Sequence, residues 1–451
     1  MAIFFAARAL LADGWHQQVR ITVDEAGFIR AIASQASPEG AVKLDGALLP
    51  AMPNLHSHAF QRAMAGLAEV AGDPQDSFWT WRELMYRMVE RLTPEQMGDI
   101  AAYLYIDMLK GGYTQVAEFH YLHHDPQGRP YGDDAMLQQL IIAAERAGIG
   151  QTLLPVLYSY GGFGSQPAQP GQRRFIQQTE AYLRQQARLQ RWLQNKPLHN
   201  HGLCFHSLRA VSEAQMHDVL AASDSALPVH IHVAEQEKEV NDCLAWSGER
   251  PVSWLLNRFN VDARWCLIHA THLDSDEISR LAASGAVAGL CPTTEANLGD
   301  GIFPAVEYVA QQGRWGIGSD SQVSLDVREE LRWLEYGQRL RDRRRNRIVS
   351  RQQPSVGDLL WRAAACGGAQ ACGIRSGELA PGRRADWLVL HEDAWLSSVD
   401  ERALLNRWLF AGQRAQIQDV WVAGKAVIRQ GRHAQQESCA ARFRLAMEAL
   451  R

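Results

Sequence analysis

Residues 52–62 read MPNLHSHAFQR, an apolar run that ends in two histidines with one residue between them. In extended backbone, side chains two apart point the same way, so His56 and His58 can present both imidazoles to one centre at a strand exit. The same punctuation recurs downstream: VHIHVAE closes an apolar run with His232, CLIHATH with His269, and IGSDS with Asp320. Counting from Met52, eight runs follow in order: MPNLHSH, YTQVAEFHY, TLLPVLYSY, HGLCFHSL, LPVHIHVAE, RWCLIHATH, AVAGLCPTT and RWGIGSDSQ. Helical patterns separate them, as at 94–109, 133–147 and 173–193, which is the alternation of parallel strands joined by right-handed crossovers. Eight such units predict an α/β fold closed into a (β/α)8 TIM barrel, because closure removes both sheet edges and gathers distant strand ends at one mouth.

Outside the barrel rhythm, both ends of the chain are rich in strands. The first fifty residues alternate short apolar runs with turns at Asp13-Gly14 and Asp45-Gly46, and GELAPGRRADWLVL and IQDVWVAGKAVIRQGR resume that character near the other end. We therefore expect residues 1–49 and 375–451 to form one discontinuous, β-sandwich-like domain, with the barrel of residues 50–374 inserted between its halves.

Composition narrows the function. A net charge of -4 gives no overall attraction to nucleic acid, and the basic run RLRDRRRNRIVSR at 339–351 has the spacing of a solvated helix face. No stretch approaches eighteen consecutive apolar residues, and the amino terminus resembles a hairpin more than a secretory leader, so no membrane role is expected. The seven cysteines, at 204, 243, 266, 291, 366, 372 and 439, form neither a CxxC pair nor a dense framework, which suits reduced thiols in the cytoplasm.

Three histidines and a carboxylate at barrel strand exits form a nitrogen and oxygen donor set that suits one divalent metal ion, Zn best. The assigned ligands are His56, His58, His232 and Asp320, with a position left for water. His230, deeper in its strand, is the rival ligand but fits a supporting place in the barrel better. A metal there brings the pKa of water toward neutrality and makes a nucleophile without an activated Ser or Cys. Glu235, three residues past His232, is the best proton shuttle in the chain, and His269 lies across the mouth to orient the water and stabilise developing charge.

NLHSHAFQR, HSLRAVS, HVAEQ, IHATH, CPTTEANLGDG and GSDSQVSLD together resemble the amidohydrolase superfamily, along nearly the whole chain. The resemblance implies hydrolytic deamination of N-formimino-L-glutamate to N-formyl-L-glutamate and ammonia, a step of histidine degradation. It places His56, His58, His232 and Asp320 on the metal, with Glu235, His269 and Asp320 serving the chemistry. Members with two metals commonly bridge them with a lysine after the fourth strand, where this chain reads CFHSLRA, so one metal is expected. A dicarboxylate substrate calls for arginines, and the resemblance implies Arg82 and Arg209 as anchors, supported by Gln61, Tyr121 and His206. Arg62 is expected to brace the His56–His58 loop. The aromatic segment FWTWRELMYRM fits either a cover over the pocket or a contact in a homodimer. Two other readings stay open: a deaminase of nucleobases or other amidines, and a catalytically silent barrel that assembles or binds anions.

Overall fold

The computed structural model describes residues 1–70 and 77–450. Eight parallel strands carry the architecture: Met52–Ser57, Tyr113–His120, Gly150–Pro155, the fourth split into His199–His201 and Leu203–Ser207, Val229–Val233, Trp265–His269, Val287–Leu290 and Arg314–Ile317. Nearly every residue in them is buried, as expected of strands covered by helices on one face and packed against each other on the other. Their ladders form two parallel sheets, and single parallel bridges join these at both seams, Leu157 to Phe205 and Ser57 to Asp320. At the second seam, Asp320 N donates to the His56 carbonyl at 3.0 Å and His58 N to the Asp320 carbonyl at 3.3 Å. The approach is close enough to require glycine, since a Cβ on Gly318 would lie 2.7 Å from His56 Cβ.

Local signals explain most helix starts. The helix Pro94–Lys110 begins behind a Thr93/Gln96 capping box with proline at its first position, and Glu213–Ala222 behind a Ser212/Gln215 box. The expected helix at 173–193 instead starts at Thr179. Its first residues are held as a loop because the Arg174 side chain is buried, donating from Nε to the His124 carbonyl at 2.7 Å and from Nη2 to the Leu92 carbonyl at 2.8 Å. The helix expected from residue 133 begins at Ala135, behind Asp133 and Asp134 in left-handed backbone.

The chain ends share one seven-stranded sheet, ordered Lys425–Ile428, Ile417–Val422, Trp387–Leu390, Val42–Pro50, Ala2–Leu11, Gly14–Val23 and Ile29–Ala33. It is hydrogen-bonded as one continuous sheet, whose buried residues, Phe4, Val19, Leu48, Trp387 and Trp421 among them, enclose a core of their own. The Asp13-Gly14 turn forms as read, but Asp45-Gly46 does not turn. It is a bulge inside the strand Val42–Pro50, where a Cβ on Gly46, at φ +154°, would stand 2.0 Å from the Leu390 carbonyl oxygen. That strand runs through Ala51 into the first of the parallel strands, coupling the seven-stranded sheet to the end of the parallel strands opposite their exits. The basic run is helical only to Asp342, the last residue of the helix Val327–Asp342. Beyond it, Arg343 takes left-handed backbone, and Arg343, Arg344 and Arg345 are exposed. Among the described residues no helix is long and apolar enough to cross a membrane.

Candidate active site

Four strand exits deliver the polar cluster. The backbone turns sharply just past the strands, with positive φ at Ala234, His269, Ala270 and Asp320. Such conformations are costly for residues with a Cβ and persist where the surroundings enforce them, commonly at functional sites. Here they swing Glu235, His269 and Asp320 toward the mouth where His56, His58 and His232 already point.

Nε2 of His56 faces Nε2 of His232 at 3.0 Å and Asp320 Oδ1 at 3.3 Å, and Nε2 of His58 lies 3.2 Å from the same carboxylate oxygen. His58 donates from Nδ1 to the Phe119 carbonyl at 2.7 Å, and His232 from Nδ1 to the His206 carbonyl at 3.0 Å. Each bond fixes the tautomer that leaves an Nε2 lone pair aimed at the cluster. The donor atoms of His56, His58 and Asp320 all lie within 4.8 Å of one another, as do those of His56, His232 and His269. Imidazole lone pairs and a carboxylate converging in a water-poor site repel unless a cation lies among them, so the donor set fits a divalent ion. Burial, then the neighbouring His58, hold His56 down to about 3, which keeps it neutral and able to ligate. Burial works against the Asp320 carboxylate, but His56 and His58 hold it well below the usual range.

The groups around the donors are tuned in opposite directions. Burial pushes Glu235 up to about 7 against the pull of His269 and Arg209, with Asp320 and Glu239 adding to the rise. Burial also opposes charge on His269, yet Glu235, Glu295 and Asp320 outweigh it and raise that imidazole to about 10. His269 Nε2 is 3.6 Å from Glu235 Oε1, and its Nδ1 is 3.3 Å from Glu295 Oε1, which also accepts from Cys291 N at 2.9 Å. Under the first strand exit, Glu118 accepts from Ala59 N at 2.6 Å, Ser57 Oγ at 2.8 Å and Tyr105 OH at 3.0 Å, tying the His56–His58 loop to the second strand.

Above the cluster lies a pocket that is partly enclosed and opens to solvent at its outer end. Gln61, Arg82, Tyr121, His206, Arg209, Glu235, His269 and Asp320 all line it. Gln61 Nε2 donates to Tyr121 OH at 3.1 Å. No ion pair involves Arg82 or Arg209 among the described residues, and the Nε atoms of both are buried without a hydrogen-bond acceptor.

His230 stays out of the cluster, donating from Nε2 to the Ala371 carbonyl at 2.8 Å on the barrel floor. Arg62 braces the loop, donating to the Gln322 carbonyl at 3.0 Å and pairing with Asp107 at 3.4 Å. The sequence reading gave no role to Glu295, to Glu118, or to Tyr158 and Phe175, two further residues that line the pocket. Glu295 carried a usable signal, a carboxylate in CPTTEANLGDG just past the seventh strand; the other three did not differ from ordinary strand and loop residues.

A parallel-stranded α/β fold with histidines and an aspartate gathered at the strand exits defines a class, and the comparisons agree with it. The sequence model of the amidohydrolase family matches residues 47–427, and the chain belongs to that family, whose barrels are metal-dependent and carry a small domain built from both chain ends. Residues 1–46 match the N-terminal domain of formimidoylglutamate deiminase HutF. The chain is 62% identical over 445 residues to the formimidoylglutamate deiminase of Pseudomonas aeruginosa, covering 98% of both proteins. It is 28% identical over 381 residues to 8-oxoguanine deaminase from the same organism, covering 82% of this chain and 79% of that one. The crystal structure of an amidohydrolase from Brucella melitensis superposes with a TM-score of 0.95 at 45% identity, covering 100% of both chains. The zinc-bound adenosine deaminase of Xanthomonas campestris shares the fold, with a TM-score of 0.82 at 21% identity over 100% of this chain and 98% of that one.

Proposed function

We propose that this chain hydrolyses N-formimino-L-glutamate to N-formyl-L-glutamate and ammonia, as a cytoplasmic enzyme of histidine degradation. The observation that carries this reading is the pairing of the metal-ligand cluster with Arg82 and Arg209, two cations lining one pocket whose buried Nε atoms have no hydrogen-bond acceptor and which form no ion pair among the described residues. A substrate with a reactive C=N group at one end and two carboxylates at the other complements both halves. The extensive identity to a formimidoylglutamate deiminase supports the same substrate.

His56, His58, His232 and Asp320 would hold one divalent ion, zinc by the balance of nitrogen and oxygen donors. When bound, such an ion supplies the Lewis acidity that makes water nucleophilic near neutral pH. Water adds to the formimino carbon while Glu235 takes its proton. The tetrahedral carbon then collapses as Glu235 returns that proton to the departing nitrogen, and the C–N bond breaks to release ammonia. His269, held charged between carboxylates, donates toward the developing oxygen charge, and Asp320 takes the second water proton as the formyl group forms and passes it to the departing nitrogen, which leaves with both water protons as ammonia. Arg82 and Arg209 take the substrate carboxylates, with Gln61, Tyr121 and His206 fixing the linear amidine over Glu235.

Release of ammonia from N-formimino-L-glutamate, measured beside guanine, cytosine and adenosine at equal enzyme, tests the reading. Turnover of the formimino compound at least a hundredfold faster than of any nucleobase or nucleoside is expected; preference for a base overturns it.

A further inference from the structure

Arg82 and Arg209 come from different elements, the helix Phe78–Val89 and the loop after the fourth strand, so something must set their spacing. That something is visible as an indole. The Arg82 guanidinium lies 4.6 Å from the centre of the Trp79 ring, the Arg209 guanidinium 5.9 Å, and the Lys238 ammonium 5.6 Å. Lys238 is already paired with Asp242 at 2.6 Å, whereas the two arginines have no such partner among the described residues. Arg82 also stands 5.5 Å from the Tyr86 ring. Trp79 does not line the pocket, although Phe78, Trp81, Arg82 and Tyr86 around it do.

A guanidinium has two separable binding surfaces. Its faces attract aromatic rings, while its in-plane N–H fork binds a carboxylate bidentately. An arginine positioned by a protein carboxylate would have spent its fork; one positioned by an aromatic ring has not. We propose that Trp79 is a positioning residue for substrate specificity, holding Arg82 and Arg209 by cation–π contact so that both forks remain free for the two carboxylates of the substrate. This rests on the reading above and adds to it the residue that sets the dicarboxylate preference. It also assigns the aromatic segment to the rim of the pocket rather than to a contact between copies.

The test compares wild type with Trp79→Leu and Trp79→Phe, by ammonia release from N-formimino-L-glutamate and from N-formiminoglycine, which has one carboxylate. Glutarate binding by calorimetry gives a readout independent of turnover. Losing contacts of this strength with both arginines raises KM for the glutamate compound, and Kd for glutarate, by about tenfold in the Leu variant. The same variant leaves kcat within about twofold and raises KM for the glycine compound, which engages one arginine, by only about threefold, and the Phe variant, which keeps a π face, recovers most of both losses. If the Leu variant does not fold, Trp79→Gln at this half-exposed position serves in its place. A Leu or Gln variant with wild-type glutarate affinity overturns the proposal, as does equal loss on both substrates. Wild-type enzyme inert toward N-formimino-L-glutamate sinks the assigned reaction instead, and glutarate affinity still decides the role of Trp79.

Discussion

Arg209 faces two tasks in this pocket, and replacing it with Met or Lys separates them. As a fork, it offers a bidentate grip on a substrate carboxylate, and losing one charged contact of this kind costs about 1.5–3 kcal/mol. Arg209→Met should therefore lower kcat/KM for N-formimino-L-glutamate by roughly 10- to 150-fold, mostly through KM. As a charge, Arg209 pulls Glu235 down against the burial that raises it to about 7. Glu235 must be ionised to take a proton from water, so activity should fall as pH drops below about 7 in the wild type. Removing the cation removes a force that favours the carboxylate, so the acid limb of kcat/KM should move to higher pH in Arg209→Met. Arg209→Lys keeps the charge but not the fork: KM should rise while the acid limb stays near its wild-type position. Initial rates of ammonia release between pH 5.5 and 9 for the three proteins provide the assay. An unchanged limb in the Met variant would show that Arg209 does not act on Glu235, and an unchanged KM would remove it from carboxylate binding.

The strand exits were legible in the sequence because a period-two apolar strand ending in a polar residue is both a structural and a chemical pattern. His56, His58, His232, His269 and Asp320 all carry that mark, and barrel geometry makes convergence the default for residues so placed. What the pattern could not reveal lies between elements. Glu118 alternates with core residues inside a strand and looks like an isolated buried acid until the Ser57 and Ala59 donors meet it. Arg82 read from its neighbours alone is an ordinary surface arginine; its place in the pocket depends on how the helix Phe78–Val89 lies against Trp79 and Tyr86. Asp45-Gly46 misled as a turn because a glycine at positive φ serves a bulge as readily as a hairpin, and only the neighbouring Leu390 carbonyl decides between them. The late start of the helix at Thr179 has the same origin, a tertiary demand on Arg174 that no local propensity records.

Glu235→Gln should retain stoichiometric metal by elemental analysis while kcat falls by about 10²-fold or more; retained turnover would remove Glu235 from proton transfer. Chelation should abolish turnover, and one equivalent of Zn should restore it and raise the melting temperature, because a ligand that binds only the folded chain stabilises it. Activity that survives complete metal removal would sink the metal-dependent chemistry. The strictest demand falls on Glu118, because both oxygens of its carboxylate accept from buried donors. Ala59 N meets one oxygen, while Ser57 Oγ and Tyr105 OH meet the other. Both hydroxyls also accept, from Gln322 Nε2 at 3.0 Å and Gln151 Nε2 at 3.3 Å, so their protons are committed to Glu118. In Glu118→Gln an amide NH2 on either side must confront a buried donor, a conflict of about 1–3 kcal/mol at a fully buried position. Since Ala59 directly follows His58, the strain passes to a metal ligand, and Zn affinity should fall by about 10- to 100-fold. A variant that melts with the wild type and titrates Zn with the same affinity would mean that Glu118 does not hold the loop from which His56 and His58 reach the mouth.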